Sequence, residues 1–75
     1  MRELRKVSGE EVLRSLHRLG FEKVRQRGSH VVLKKQTKEG EVGCVVPLHR
    51  ELKIGTLKGI LKQAKVTSEE FMNNL

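Results

Sequence analysis

Arg27-Gly28-Ser29-His30 sets a histidine three positions after an arginine, with a flexible Gly-Ser pair between them and Lys34 and Lys35 following on the same segment. Such a group suits the cleavage of RNA without a metal. A base takes the proton from a ribose 2′-hydroxyl, which then attacks its own phosphorus, while cations stabilise the charge that builds on the phosphate. Histidine fits the base, because its ordinary pKa lies near neutrality. Arg27, Lys34 or Lys35 could hold the phosphate, and Gly28 next to Ser29 would let the backbone approach closely with its N–H groups exposed. The expected products are a 2′,3′-cyclic phosphate and a 5′-hydroxyl. Gly-Ser-His is a short motif, and the competing reading of His30 is that it simply opens an edge strand beside a turn.

The chain as a whole is compatible with that chemistry. Seventy-five residues make room for one domain, 1–75, with a single core and one shallow functional surface. A surface of that size favours a polymeric substrate over a small metabolite. Sixteen Lys and Arg against nine Asp and Glu leave a formal charge of +7, which points to RNA, DNA or an acidic protein as partner. Cys44 is the only cysteine, so no intrachain disulfide can form; it reads as a packing residue in a chain from a reducing compartment. His17, His30, His49 and Cys44 are too far apart for zinc spacing, and no metal or other cofactor is expected. The opening Met-Arg-Glu-Leu-Arg-Lys lacks the apolar run of a signal peptide, and no segment reaches the roughly 18 apolar residues of a membrane span. A soluble cytoplasmic protein is expected.

The elements that must position His30 can be read from spacing. A helix should open at Ser8, whose hydroxyl can accept from the Glu11 N–H while the Glu11 carboxylate reaches back. Val12, Leu13, Leu16 and Leu19 follow on one stripe, with Arg14, Ser15 and Arg18 outward, His17 at the boundary and Gly20 ending the helix. From Phe21 to Arg27 the period becomes alternating, with Lys23, Arg25 and Arg27 on one face and Val24 on the other. Gly28-Ser29 is a tight turn. A second strand, His30 to Gln36, then buries Val31 and Leu33 and turns His30, Val32 and Lys34 the other way. After a polar turn at Thr37–Gly40, Val42 to Leu48 forms a well-buried third strand, and Pro47 marks an edge or an end. A second helix from Ile54 carries Leu57, Ile60, Leu61 and Ala64 on one stripe, with Gly59 expected where it lies close to the sheet. A second capping box at Thr67 opens a short last helix anchored by Phe71, Met72 and Leu75.

The fold class is therefore α+β: an α-β-β-β-α sandwich with a three-stranded antiparallel sheet, helices on one face and a short extra C-terminal helix. The uncovered face, or its rim, should carry Lys23, Arg25, Arg27, His30 and Lys34. Lys53, Lys58 and Lys62 would add phosphate contacts outside it, and the N-terminus of the second helix at Gly55 and Thr56 could take a phosphate as well. Phe21 and Phe71 are the only aromatics and are needed for packing, so an aromatic stacking platform is absent.

Leu19-Gly20-Phe21 through Arg25-Gln26-Arg27-Gly28-Ser29-His30 closely resembles the corresponding part of HicA (YcfA-like) toxins. Val45-Val46-Pro47-Leu48-His49 resembles the end of the family's third strand, and Glu51 to Leu57 with Ile60 to Ala64 resembles its second-helix signature. The likeness runs from about Val7 to Phe71. It implies a double-stranded-RNA-binding-domain-like fold, metal-independent cleavage of messenger RNA, neutralisation by a HicB-type antitoxin, and the catalytic position for His30. Two departures stand out: Ile54 where many relatives have proline, and Val31 where many have a second histidine. The second makes His49, or Lys35, a candidate to protonate the leaving oxygen if the third strand ends beside the Gly-Ser turn. Two other functions use the same residues. A non-catalytic double-stranded-RNA-binding module would give His30 no essential role, and a basic protein-interaction domain would bind an acidic partner without binding RNA.

Overall fold

The structure, a computed structural model, describes residues 4–75. Residues 1–3, the start of the segment read as lacking a signal peptide, lie outside the described residues. The order is α1 (Gly9–Arg18), β1 (Glu22–Arg27), β2 (His30–Thr37), β3 (Gly40–Pro47), α2 (Ile54–Ala64) and α3 (Ser68–Asn73). This is the expected α-β-β-β-α chain with a short last helix. No helix among the described residues is long and apolar enough to cross a membrane.

Both capping boxes form. The Ser8 hydroxyl accepts from the Glu11 N–H at 3.1 Å, and the Ser8 N–H donates to the Glu11 carboxylate at 3.0 Å. That backbone bond, helped by Arg5, holds the Glu11 carboxyl below its ordinary value of 4.5. Thr67 and Glu70 repeat the arrangement at α3, and the Thr67 backbone bond lowers the Glu70 carboxyl in the same way. Gly20 ends α1 at φ +100°: its N–H donates to the His17 carbonyl and the Phe21 N–H to the Leu16 carbonyl, both at 3.0 Å. This is a Schellman stop with its usual apolar contact, since Leu16 and Phe21 are both buried. Lys65 takes the same left-handed role after α2, at φ 57°.

The sheet has order β1-β2-β3 and is antiparallel throughout, so the strand that His30 opens is the central one and not an edge. Gly28-Ser29 is a two-residue hairpin joining the Arg27–His30 pair, with Gly28 at φ +55° and Ser29 at negative φ, the pattern of a type II′ turn. Side chains of β2 alternate as expected, Val31 and Leu33 toward the helices and His30, Val32 and Lys34 away. β3 is not buried along its length as its β-branched run suggested: it alternates, with Cys44 and Val46 buried and Val45 between them 42% exposed, because only one face of the sheet is covered. Val31, Leu33, Cys44 and Val46 join Val12, Leu16, Phe21, Leu52, Leu57, Ile60, Leu61, Ala64 and Phe71 in one core between the sheet and the helices.

Three further expectations are corrected. Ser15 does not face outward: it is fully buried, and its hydroxyl donates to the Phe71 carbonyl at 2.8 Å, tying α1 to α3. β1 does not alternate simply, because the register slips between Lys23, which pairs with Leu33, and Arg25, which pairs with Val32. The bulge leaves Val24 54% exposed and returns Lys23 to the helix side of the sheet. Gly59 is not a point of close approach, since a Cβ there would meet nothing within 4 Å. The close approach is at Gly9, where a Cβ would collide with the Pro47 carbonyl. Gly9 also donates its N–H to the His49 carbonyl at 2.9 Å, so the start of α1 is seated on the end of β3.

Candidate functional site

Pairing register assigns every strand residue to a face. On the face away from the helices, Arg27, His30 and Pro47 form the row nearest the β1–β2 turn, and Arg25, Val32 and Val45 form the next. Glu22, Lys34 and Gly43 form the third row, with Gln36 and Glu41 beyond it. Arg25, Arg27 and His30 are all exposed, and none is in an ion pair or side-chain hydrogen bond among the described residues. Lys34 instead engages Glu41 at 3.2 Å. The face is thus polarised, with free cations around His30 at one end and carboxylates at the other.

Local structure holds His30 in place. Because the hairpin loop has only two residues, Arg27 and His30 are directly opposed, with Cβ atoms about 5 Å apart on one face. The Gln26 side-chain amide donates to the Gly28 carbonyl at 2.9 Å and braces the turn from within. The Leu48 N–H donates to the Ser29 carbonyl at 2.6 Å, extending the β2–β3 contact past Pro47. The third strand therefore does end beside the Gly-Ser turn, which brings His49 to that end of the molecule, exposed and with its carbonyl held by Gly9.

The remaining residues singled out in the sequence are not gathered there. Lys35 lies one position off the His30 alternation and belongs to the helix side, where its ammonium sits 5.7 Å from the Phe21 ring centroid and close to Gly20. Lys53 stands at the N-cap of α2, exposed, with no hydrogen bond or ion pair tying its side chain to the sheet. Gly9 is the positioning residue that spacing did not single out; the signal was a glycine at the first position of a helix, where a better helix former would ordinarily stand. Cys44 is buried among the core side chains, which pushes its thiol up to about 11 and makes it unreactive. No cluster of three or more His, Cys, Asp or Glu side chains among the described residues could hold a metal ion.

An exposed imidazole beside two uncommitted guanidiniums can take a proton and stabilise an anion in the same place. The family model described as the HicA toxin of bacterial toxin-antitoxin matches residues 9–66 of the chain. The chain belongs to the HicA toxin family. It is thereby the toxin of a toxin–antitoxin system. The HicA match runs from Gly9, the residue seated on Pro47, to Val66, just after α2, and so contains the whole hairpin with Arg27 and His30. α3 lies beyond it and serves the HicA core through Phe71 and Met72. Among curated proteins, none matches the chain.

Proposed function

We propose that this toxin is a metal-independent endoribonuclease acting on messenger RNA in the cytoplasm, with His30 as the general base. The ring of His30 takes the proton from a ribose 2′-hydroxyl, and the freed oxygen bonds to the adjacent phosphorus. The bond from phosphorus to the 5′-oxygen of the next nucleotide breaks, and that oxygen gains a proton. Products are a 2′,3′-cyclic phosphate and a 5′-hydroxyl. Arg27, directly opposite His30, stabilises the charge on the phosphorane, with Gly28 and Ser29 offering close backbone approach. His49 is the second titratable group at that end of the sheet and the candidate proton donor.

The observation that carries this reading is the Arg27–His30 pair across the neck of a two-residue hairpin, exposed and uncommitted, in a chain of a toxin family. A HicB-type antitoxin with an acidic surface laid over Arg25, Arg27 and His30 would neutralise the toxin by covering base and cations together. Of the cations named from the sequence, Lys34 adds charge at the rim of this face; Lys35 and Lys53 would reach RNA only outside it.

The test is the chemistry of the cut. In EDTA, the protein should cleave an unpaired RNA to products with cyclic-phosphate ends and leave the same strand, methylated at every 2′-oxygen, intact. Cleavage of the methylated strand, or products bearing 5′-phosphate, would overturn the reading. Binding of both strands without cleavage would favour the RNA-binding module.

A further inference from the structure

We propose that the row beside His30, Arg25–Val32–Val45, is a subsite for one unpaired nucleobase flanking the scissile phosphate; this rests on the ribonuclease reading and specifies the form of its substrate. Val45 is 42% exposed, one of only two large hydrophobic residues so exposed among the described residues. Its partner in register is the half-buried Val32, so the two side chains adjoin on the face that no helix covers. The second exposed residue, Val24, is explained by the β1 bulge. Val45 has no such local cause.

The surroundings of the valine pair define what fits it. Arg25 closes the row on the β1 side, and the His30–Pro47 row lies on one flank, roughly 7 Å from His30 to Val32 along the strand. On the other flank the β3 position is Gly43, and the Lys34 side chain lies across it, its Cγ 3.2 Å from where a Cβ of that residue would stand, on its way to Glu41. An apolar floor between the Arg25 guanidinium and the free edge of β3 accepts a flat ring face-down, with its ribose and phosphate toward Arg25 and Arg27. Charge fixes the direction. Free cations lie at the His30 end, whereas Glu22 and the Lys34–Glu41 pair occupy the far end, where a continuing row of phosphates would meet carboxylates. A rigid duplex presents two such rows and keeps its bases stacked inside. A single strand can lay one base on the valines and leave the face before reaching Glu22. Valine side chains offer no hydrogen bond, so the subsite grips bases by apolar contact and favours the larger purines without reading their edges.

Binding is measured by fluorescence anisotropy on the uncut complex of His30→Ala protein with a seven-nucleotide unpaired RNA, and with a set of the same strands each lacking one base. Val45→Ser, at an exposed strand position, is expected to stay folded by circular dichroism and to bind the intact strand about 3- to 10-fold more weakly. For one abasic strand of the set, the Val45→Ser and Val45 proteins should bind equally. Equal affinity for the intact strand, or a uniform loss across all abasic strands, would each overturn the subsite. If Val45→Ser changes nothing while native protein still cuts RNA, the subsite alone fails. If Val45→Ser shows the base-dependent loss while native protein cuts nothing, the nuclease reading fails and a nucleobase-binding patch remains. No RNA binding at all overturns both.

Discussion

The two faces of one three-stranded sheet are built from neighbouring residues and do opposite work. Toward the helices, Val31, Leu33, Cys44 and Val46 close a core with α1, α2 and α3. Away from them, Arg25, Arg27, His30, Val32 and Val45 stand uncovered on the same strands. Burial on the first face provides the stability that lets the second keep charged side chains apart from partners. Lys34 and Lys35 show how sharp the division is: adjacent in sequence, one meets Glu41 on the open face and the other lies over Phe21 on the covered one.

Adjacent valines break the comparison most forcefully. Val46→Asp would bury an unpaired carboxylate and should cost more than about 3 kcal/mol, enough to leave much of so small a domain unfolded. Val45→Asp, one residue away on the open face, should change stability by less than about 1 kcal/mol. Urea denaturation of the two variants checks this, and similar losses would mean that the faces are not distinct.

A pair of cations tests the same division in function. Arg27→Ala should slow RNA cleavage roughly a hundredfold, as expected when a group stabilising the reacting phosphate is lost. Its binding should also become less salt-sensitive, by a slope of about one in log–log form. Lys35→Ala removes the same charge from the helix side and should leave cleavage within about twofold, because its ammonium stands over Phe21 rather than near His30. Single-turnover rates and a salt series measure both effects.

Much of this division was legible before the structure. Both capping boxes, the Gly20 stop, the Gly-Ser turn and the alternation of β2 are local patterns, and the turn alone brings Arg27 opposite His30. What escaped were features that depend on distant partners. Ser15 looks like a solvent residue on the helix surface, and only the Phe71 carbonyl, far along the chain, gives its hydroxyl a buried partner. The bulge at Val24 depends on how β1 meets β2, and it moves Lys23 away from the cations it was grouped with. Gly9 and Gly59 exchanged roles because the tight contact is between α1 and the end of β3, not between α2 and the sheet. Lys35 could have been set aside by parity, since it lies an odd number of positions from His30.

Cys44 sharpens the picture of the covered face. With its thiol raised from 9.0 to about 11 by burial, thiolate at pH 8 should be roughly a hundredfold scarcer than for an exposed cysteine. Disulfide-reagent labelling should therefore be slow in the native protein and rapid in denaturant. Fast native labelling would mean that the core opens.

The smallest effect concerns the helix starts. Ser8→Ala and Thr67→Ala should each cost about 1 kcal/mol at neutral pH. Glu11 and Glu70 have lowered carboxyl values, so each stabilises the fold above the ordinary 4.5 and loses that contribution as pH falls through its lower folded value. A thermal melt series should show the melting temperature falling below about pH 4.5. Glu11→Gln with Glu70→Gln should flatten that acid limb, and an unchanged limb would mean that the caps do not control it.

The most direct measurement is single-turnover cleavage of an unpaired RNA in EDTA by native and His30→Ala proteins of matched folding. If the open face does the chemistry, His30→Ala falls by about 100-fold or more while its RNA affinity stays within a few-fold. A His30→Ala protein that cuts at the native rate would show that the base lies elsewhere and that the Arg27–His30 pair is not the active site.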